Sequence, residues 1–277
     1  MSHAHPTNDR CAVVFYQLNF DFDTGVLTRV GLVLFLGLYF MLSALAPVPL
    51  WQQERLLYFQ ERAAGCYGPF TYVLSRTLYD GLLQRMLPSL LCAAIVYPTV
   101  GLSHSDPASP WHAALFCIAL CLSNLLGTAV ITCFGILCAS SSVATILSVL
   151  FILFTVLFCG FVVNIPTLQA RGTAALGAWQ PHHFSFLYYF NELLLYDEIK
   201  GKTIDLKWQP DQAQPVQRYP VHGEEVLLHF GFALNCSHLF DDTDLPCLHD
   251  LYLPTAGLAF FVCAAILLLG FCVKDPH

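Results

Sequence analysis

Five apolar runs limit what this chain can fold into. Residues 30–50, 72–101, 111–138, 143–163 and 252–273 each reach the ~20 residues that a helix needs to cross a bilayer, and polar segments separate them. In hydrocarbon a backbone must satisfy its own N–H and C=O groups, so each run is expected to be a transmembrane helix. Composition agrees. Of 277 residues 56% are hydrophobic and 11% charged, against about 25% charged in a soluble domain. The expected fold class is an all-α polytopic membrane protein. The net charge of −7, with no Lys/Arg-rich block, argues against nucleic acid as a partner. The opening MSHAHPTNDR lacks the basic-then-apolar order of a cleaved signal peptide.

One compact charged segment, LWQQERLLYFQERAAGCYG at 50–68, sits between the first two runs. Glu54–Arg55 and Glu61–Arg62 stand seven residues apart, which on a helix puts both acid–base pairs near one face. Residues 52–64 are therefore expected to form an amphipathic helix at the membrane surface; an ordinary solvated connector is the plainer alternative. Pro47 and Pro49 mark the end of the first run or a kink in it. The next run carries Arg76, Asp80, Gln84 and Arg85 along one helical side, a side that cannot face lipid cheaply. Pro88 and Pro98 predict kinks there rather than ends. Asn124 is the one strongly polar side chain of the third run. Glu54 needs a partner at that depth, and Arg76 or Arg85 is better placed than its sequence neighbour Arg55.

Residues 165–251 differ, with eleven Asp/Glu against five Lys/Arg. Within them 182–199 has a helix-like pattern, too polar at its end to span and aromatic enough to lie at an interface. Three bases against two acids near the surface helix, and Lys274 after the last run, place 50–72 and the C-terminus in the cytosol and 165–251 outside. Parity of the spans agrees. Asn235 heads an N-x-Ser glycosylation acceptor. Cys236 and Cys247 enclose a short loop in the same block; they either bridge in an oxidising compartment or remain two thiols. His182, His183, His229 and His238 lack the spacings of a metal site, and an embedded enzyme is the weakest of the function classes weighed.

From about residue 11 onward the chain resembles the membrane domain of the G subfamily of ABC transporters, the white/multidrug half-transporters. The likeness is densest over 48–102, where Phe59, Glu61, Gly65, Tyr67, Asp80, Met86-Leu-Pro88, Ile95-Val-Tyr97 and Gly101-Leu102 stand in the family's places. GFVVN at 160–164, YYFNE at 188–192 and GEEVL at 223–227 follow in order. The resemblance implies an ABC-2 type, type V exporter-like transmembrane domain with a large extracellular loop between its last two helices. Residues 11–18 would be the last turns of the family's first helix, so the expectation is a partial domain, truncated before that helix ends.

The resemblance also implies roles. Residues 52–64 would be the cytosolic connecting helix that receives motion from a nucleotide-binding domain, with Glu54, Arg55, Glu61, Arg62, Arg76 and Arg85 as coupling residues. Phe161, Val162 and Asn164 fall at the family's apolar plug, although Phe161 has the alternative of simply packing on a neighbouring helix. Leu42, Leu153 and Val156 fall on cavity-facing positions. Leu42 replaces the aromatic of the multidrug type, which suits a sterol or acyl chain as well as a flat ligand. No G-x-x-x-x-G-K-[ST] occurs, so no cofactor is expected on this chain, and ATP with Mg is expected on a partner or missing nucleotide-binding domain. The leading expectation is the membrane part of an ATP-driven exporter of lipid-like or amphipathic solutes, working as a homo- or heterodimer. The alternative is a non-transporting or regulatory pseudo-subunit paired with a complete half-transporter. A multi-pass location follows, in the plasma membrane by expectation or in an internal one.

Overall fold

The computed structural model describes residues 26–102, 110–163, 181–199, 203–208, 217–232 and 248–271. The first run forms helix α1, Leu27–Ser43, and Ala44–Ala46 turn before α2, Pro47–Ala63. The break precedes the two prolines instead of falling on them. Ala46, just before Pro47, keeps helical dihedrals (φ −55°, ψ −38°), and Pro47 and Pro49 sit in the first turn of α2, where a missing N–H has no helical partner to lose. α2 turns Trp51 and Tyr58 inward and leaves Gln53, Glu54 and Leu57 exposed.

Helix α3, Pro69–Val100, starts at one proline and runs through Pro88 and Pro98. From Asp80 to Met86 it widens into a π-helix, immediately before Pro88 removes a backbone donor. Nearby, the Arg85 carbonyl accepts from two side chains, Ser89 Oγ at 2.8 Å and Asn124 Nδ2 at 3.1 Å. Helix α4, Pro110–Leu137, is the axis of the bundle. It packs against α1, α2, α3 and three helices yet to come, and buries Leu115, Phe116, Leu120, Leu126, Val130 and Ile131.

Helix α5, Ser141–Leu157, has 17 residues, about 25 Å at 1.5 Å per residue, short of the expected 143–163. Gly160 ends the run with φ +93°, a left-handed conformation that a side chain would strain. A 3-10 turn, Pro181–Phe184, leads into α6, Phe186–Ile199.

The sequence put this last segment at an interface; the structure puts it inside. Phe186 through Tyr196 are buried without exception, against α1, α4 and α5. Its polar end is tolerated because Glu198 pairs with Arg29 of α1 and Asp197 Oδ1 lies 2.7 Å from His112 Nδ1 of α4. Its deep end is tied by Ser185 Oγ to the Thr155 carbonyl at 2.8 Å and by Asn191 Nδ2 to that of Cys159 at 3.3 Å. Gly37 makes the close fit possible, since a Cβ there would stand 2.5 Å from Leu187.

Strands β1, Thr203–Trp208, and β2, Gln217–His222, pair antiparallel from Thr203↔His222 to Trp208↔Gln217. Helix α7, Gly223–Phe230, rests on α6. The last helix, α8, Leu248–Phe271, packs along α4, α3 and α6. Among the described residues four segments are long and apolar enough to cross a membrane, at 27–51, 69–100, 111–137 and 252–269, and Ser141–Leu157 is a shorter apolar helix.

Contacts sort the molecule into two ends. Arg29, His112, Asp197 and Glu198 meet at one. Trp51, Tyr58, Val73, Ile136 and Leu269 meet at the other. The long helices α1, α3, α4 and α8 and the shorter α5 therefore alternate in direction, whereas α6 runs beside α5 in the same sense.

Candidate functional site

Arg76 is the hub of the second end. Its Nη1 pairs with Glu54 Oε2 across from α3 to α2, and its Nε lies 3.3 Å from Asp80 Oδ2 one turn along its own helix. Nη1 also donates to the Tyr72 hydroxyl at 3.2 Å, and that hydroxyl reaches Glu54 Oε2 at 3.5 Å. The Arg76 guanidinium carbon lies 5.3 Å from the centroid of the Trp51 ring, within cation–π range. One cation thus answers two carboxylates and an aromatic face. It is 18% exposed and Glu54 46%, so the pair is screened and contributes only ~0–1 kcal/mol to stability. What it fixes is position, because it ties the surface helix to the next long helix.

Tyrosines extend the tie. Tyr72 stacks on Tyr67 (centroids 5.7 Å apart, 10° between planes) and lies 4.6 Å from Tyr58. The Tyr67 hydroxyl donates to Glu61. Arg62 Nη1 donates to the Leu269 carbonyl of α8 at 2.8 Å. Glu54, Glu61 and Arg62 therefore hold α2 to α3, to the turn before α3, and to α8. Arg55 belongs to α2, and its side chain lies outside what is described.

Of the two arginines offered as partners for Glu54, only Arg76 takes it. Arg85 is 5% exposed and donates to the Ser43 carbonyl at 3.1 Å, tying α3 to the end of α1. Asn124, the one strongly polar side chain of its run, bridges the Arg85 carbonyl and Ser89 Oγ.

Leu42 and Leu153 are exposed and Val156 is half-buried. Leu42 continues a stripe on α1 with Leu27, Phe35 and Tyr39, and Leu153 one on α5 with Ile146, Leu150 and Leu157, all exposed in the single chain. Phe161 is half-buried with its ring edge-on to Phe230 (5.4 Å) and Phe232 (5.6 Å), whereas Val162 points outward, 55% exposed. Asn164, Asn235, Cys236, Cys247 and residues 11–18 lie outside the described residues.

The buried Arg29–Glu198 pair escaped the sequence reading. Its signal was a lone base at the head of the first apolar run and an acid at the end of an aromatic one. His182 stacks near His183 and Tyr188 (centroids 4.2 and 5.2 Å away); burial, then the neighbouring His183, pushes its ring down to about 4. It is neutral at physiological pH. Among the described residues no cluster of three or more His, Cys, Asp or Glu is spaced to hold a metal ion.

Comparison with known proteins answers to this architecture. Residues 11–199 match the ABC-2 type transporter family. The chain is 29% identical over 222 residues to a probable ATP-dependent permease of Saccharomyces cerevisiae, an alignment covering 80% of this chain and 20% of that one. It is 27% identical over 252 residues to the broad substrate specificity ATP-binding cassette transporter ABCG2 of Mus musculus (88% and 36%). With ABC transporter G family member 24 of Dictyostelium discoideum it shares 22% over 262 residues (95% and 20%). The chain thus spans 20% to 36% of the length of these relatives. With a bundle of apolar helices, α2 tied to α3 by the Glu54–Arg76 pair and a family match over most of its length, the chain belongs to the ABC-2 type transporter family, as a transmembrane domain of the ABCG type.

Proposed function

We propose that this chain is the membrane-spanning part of an ATP-driven exporter of lipid-like or amphipathic solutes. In this reading α2 faces the cytosol and receives the push of a nucleotide-binding domain that holds ATP and Mg. The Glu54–Arg76 tie then carries the push into α3. The observation that carries the reading is this tie, since a surface helix with no rigid link to the bundle could move without moving the cavity.

The exposed α1 and α5 stripes, with Leu42, Leu153 and Val156, supply an apolar face against a second half-transporter, identical or related. Such a wall desolvates an apolar chain. Val162 reaches outward near the far end of α5 and, with Phe161 and Asn164, would close the path. Residues 165–251 would then lie outside, with a glycan at Asn235 and a Cys236–Cys247 bridge.

The test is co-expression with a nucleotide-binding domain or a complete half-transporter, followed by ATP-dependent uptake of a fluorescent phospholipid or sterol into inside-out vesicles. Uptake that needs both this chain and a hydrolysis-competent partner supports the reading. A stable complex whose uptake is unchanged when this chain is left out supports the regulatory subunit instead.

A further inference from the structure

A cavity of roughly 310 Å³ lies inside the single chain, between α3, α4 and α8, with Trp51 of α2 at its edge. Leu42, Leu153 and Val156 do not line it. Leu125, Ile136, Leu258, Phe261, Val262 and Ala265 make its walls apolar. Of its hydroxyls, Thr128 and Thr132 donate to their own helix, to the Asn124 carbonyl at 2.8 Å and the Thr128 carbonyl at 2.7 Å. Arg76 and Asp80 line it already engaged with each other.

Arg85 is different. It lines the same cavity, is 95% buried, and has no carboxylate of the described residues within ion-pairing distance. Its Nη1 is used by Ser43, but its Nε has no hydrogen-bond partner among the described residues. A buried guanidinium with an unused donor is costly. An acidic group beside it would remove that cost, and guanidinium is shaped to bind carboxylate or phosphate.

We propose that the cavity holds a single-chain anionic amphiphile, its tail along α4 and α8 and its acidic head on Arg85. The volume sits at the low end of the ~300–1,000 Å³ typical of ligand pockets, room for one acyl chain and not for a large fused-ring ligand. Asp80 would repel the head, but its charge is answered by Arg76 at 3.3 Å and, beyond ion-pairing distance, by Arg85, whose guanidinium is the cation without a carboxylate in direct contact among the described residues. A long-chain carboxylate and a lysophospholipid share this chemistry. The site is independent of transport and stands whether or not the chain exports anything.

Three photolabels with one tail and a terminal diazirine test it on the purified full chain in nanodiscs: palmitate, lysophosphatidate and the uncharged alcohol. At least one of the acids is expected to label peptides within 72–86 or 258–269 about tenfold more than the alcohol. Which of them does so identifies the source. Ala129→Phe, which fills the cavity, is expected to cut that labelling about tenfold, and Arg85→Gln to bring the acids down to the alcohol, with Arg85→Lys retaining part. Equal labelling by acids and alcohol in the unmodified chain, which requires no variant to fold, overturns the proposal. So does labelling elsewhere that Ala129→Phe leaves unchanged.

Discussion

The two ends of the bundle each rest on an arginine–glutamate pair, and the pairs are built oppositely. Arg29 and Glu198 are 1% and 5% exposed and join α1 to the buried helix α6; Arg76 and Glu54 are 18% and 46% exposed and join α3 to α2. A pair sealed from water cannot trade its partner for solvent, so it holds its two helices together. A half-hydrated pair fixes the position of its helices while adding little to stability. The first is an anchor and the second a joint. The difference lies in burial, not in chemistry; on the proposed function the buried end serves structure and the half-hydrated end passes motion from α2 to α3.

The anchor should show the largest stability effect. Arg29→Ala or Glu198→Ala removes one partner of a buried ion pair, at a cost of about 3–5 kcal/mol. The expected outcome is loss of the monodisperse protein, read by fluorescence-detected size exclusion after heating. Arg29→Met combined with Glu198→Leu should recover much of it, because apolar replacement of both partners is close to neutral. Failure of the double variant while both singles remain stable would remove the anchor.

Phe161→Ala should be intermediate. The ring is half-buried on Phe230 and Phe232, so roughly 1–2 kcal/mol is expected, below the ~3–5 of a fully buried phenylalanine. Thermal stability measured beside leak through a reconstituted complex separates two roles. Lost stability with tight vesicles marks a packing residue, and leak at preserved stability marks a plug.

A smaller effect should follow from His182. Its ring sits near 4 when folded against an ordinary 6.5, so protonation favours the unfolded chain. Its contribution is fully present above pH 6.5 and is lost as pH falls toward 4. His182→Gln is expected to flatten the acid side of a pH–stability curve in detergent; an unchanged slope would remove His182 as its source.

Much of the joint was legible in the sequence. Charges stranded among apolar residues demand partners, and Glu54 with Arg76 answered that demand. The π-helical stretch before Pro88 left Arg85 turned to the end of α1, which no spacing rule for a regular helix foretold. The anchor was hidden for a different reason. A helix buried on every side has no apolar face to show a 3.6-residue period, so α6 read as interfacial. Its polar end looked exposed because its partners, Arg29 and His112, lie far away in sequence. Gly37 carried no local signal at all, since its need for a hydrogen comes from Leu187 on another helix.

The most direct test of the joint is a double-mutant cycle on Glu54→Gln and Arg76→Gln. It measures solute transport and ATP hydrolysis side by side in a complex with a competent nucleotide-binding domain. Glu54→Gln should cost ~0–1 kcal/mol of stability and leave hydrolysis near normal while export per ATP falls about tenfold. Arg76→Gln, which also releases Asp80, should be at least as severe, and the double variant no worse than Arg76→Gln alone. Normal export with Glu54→Gln, or losses that add in the double variant, would contradict the account.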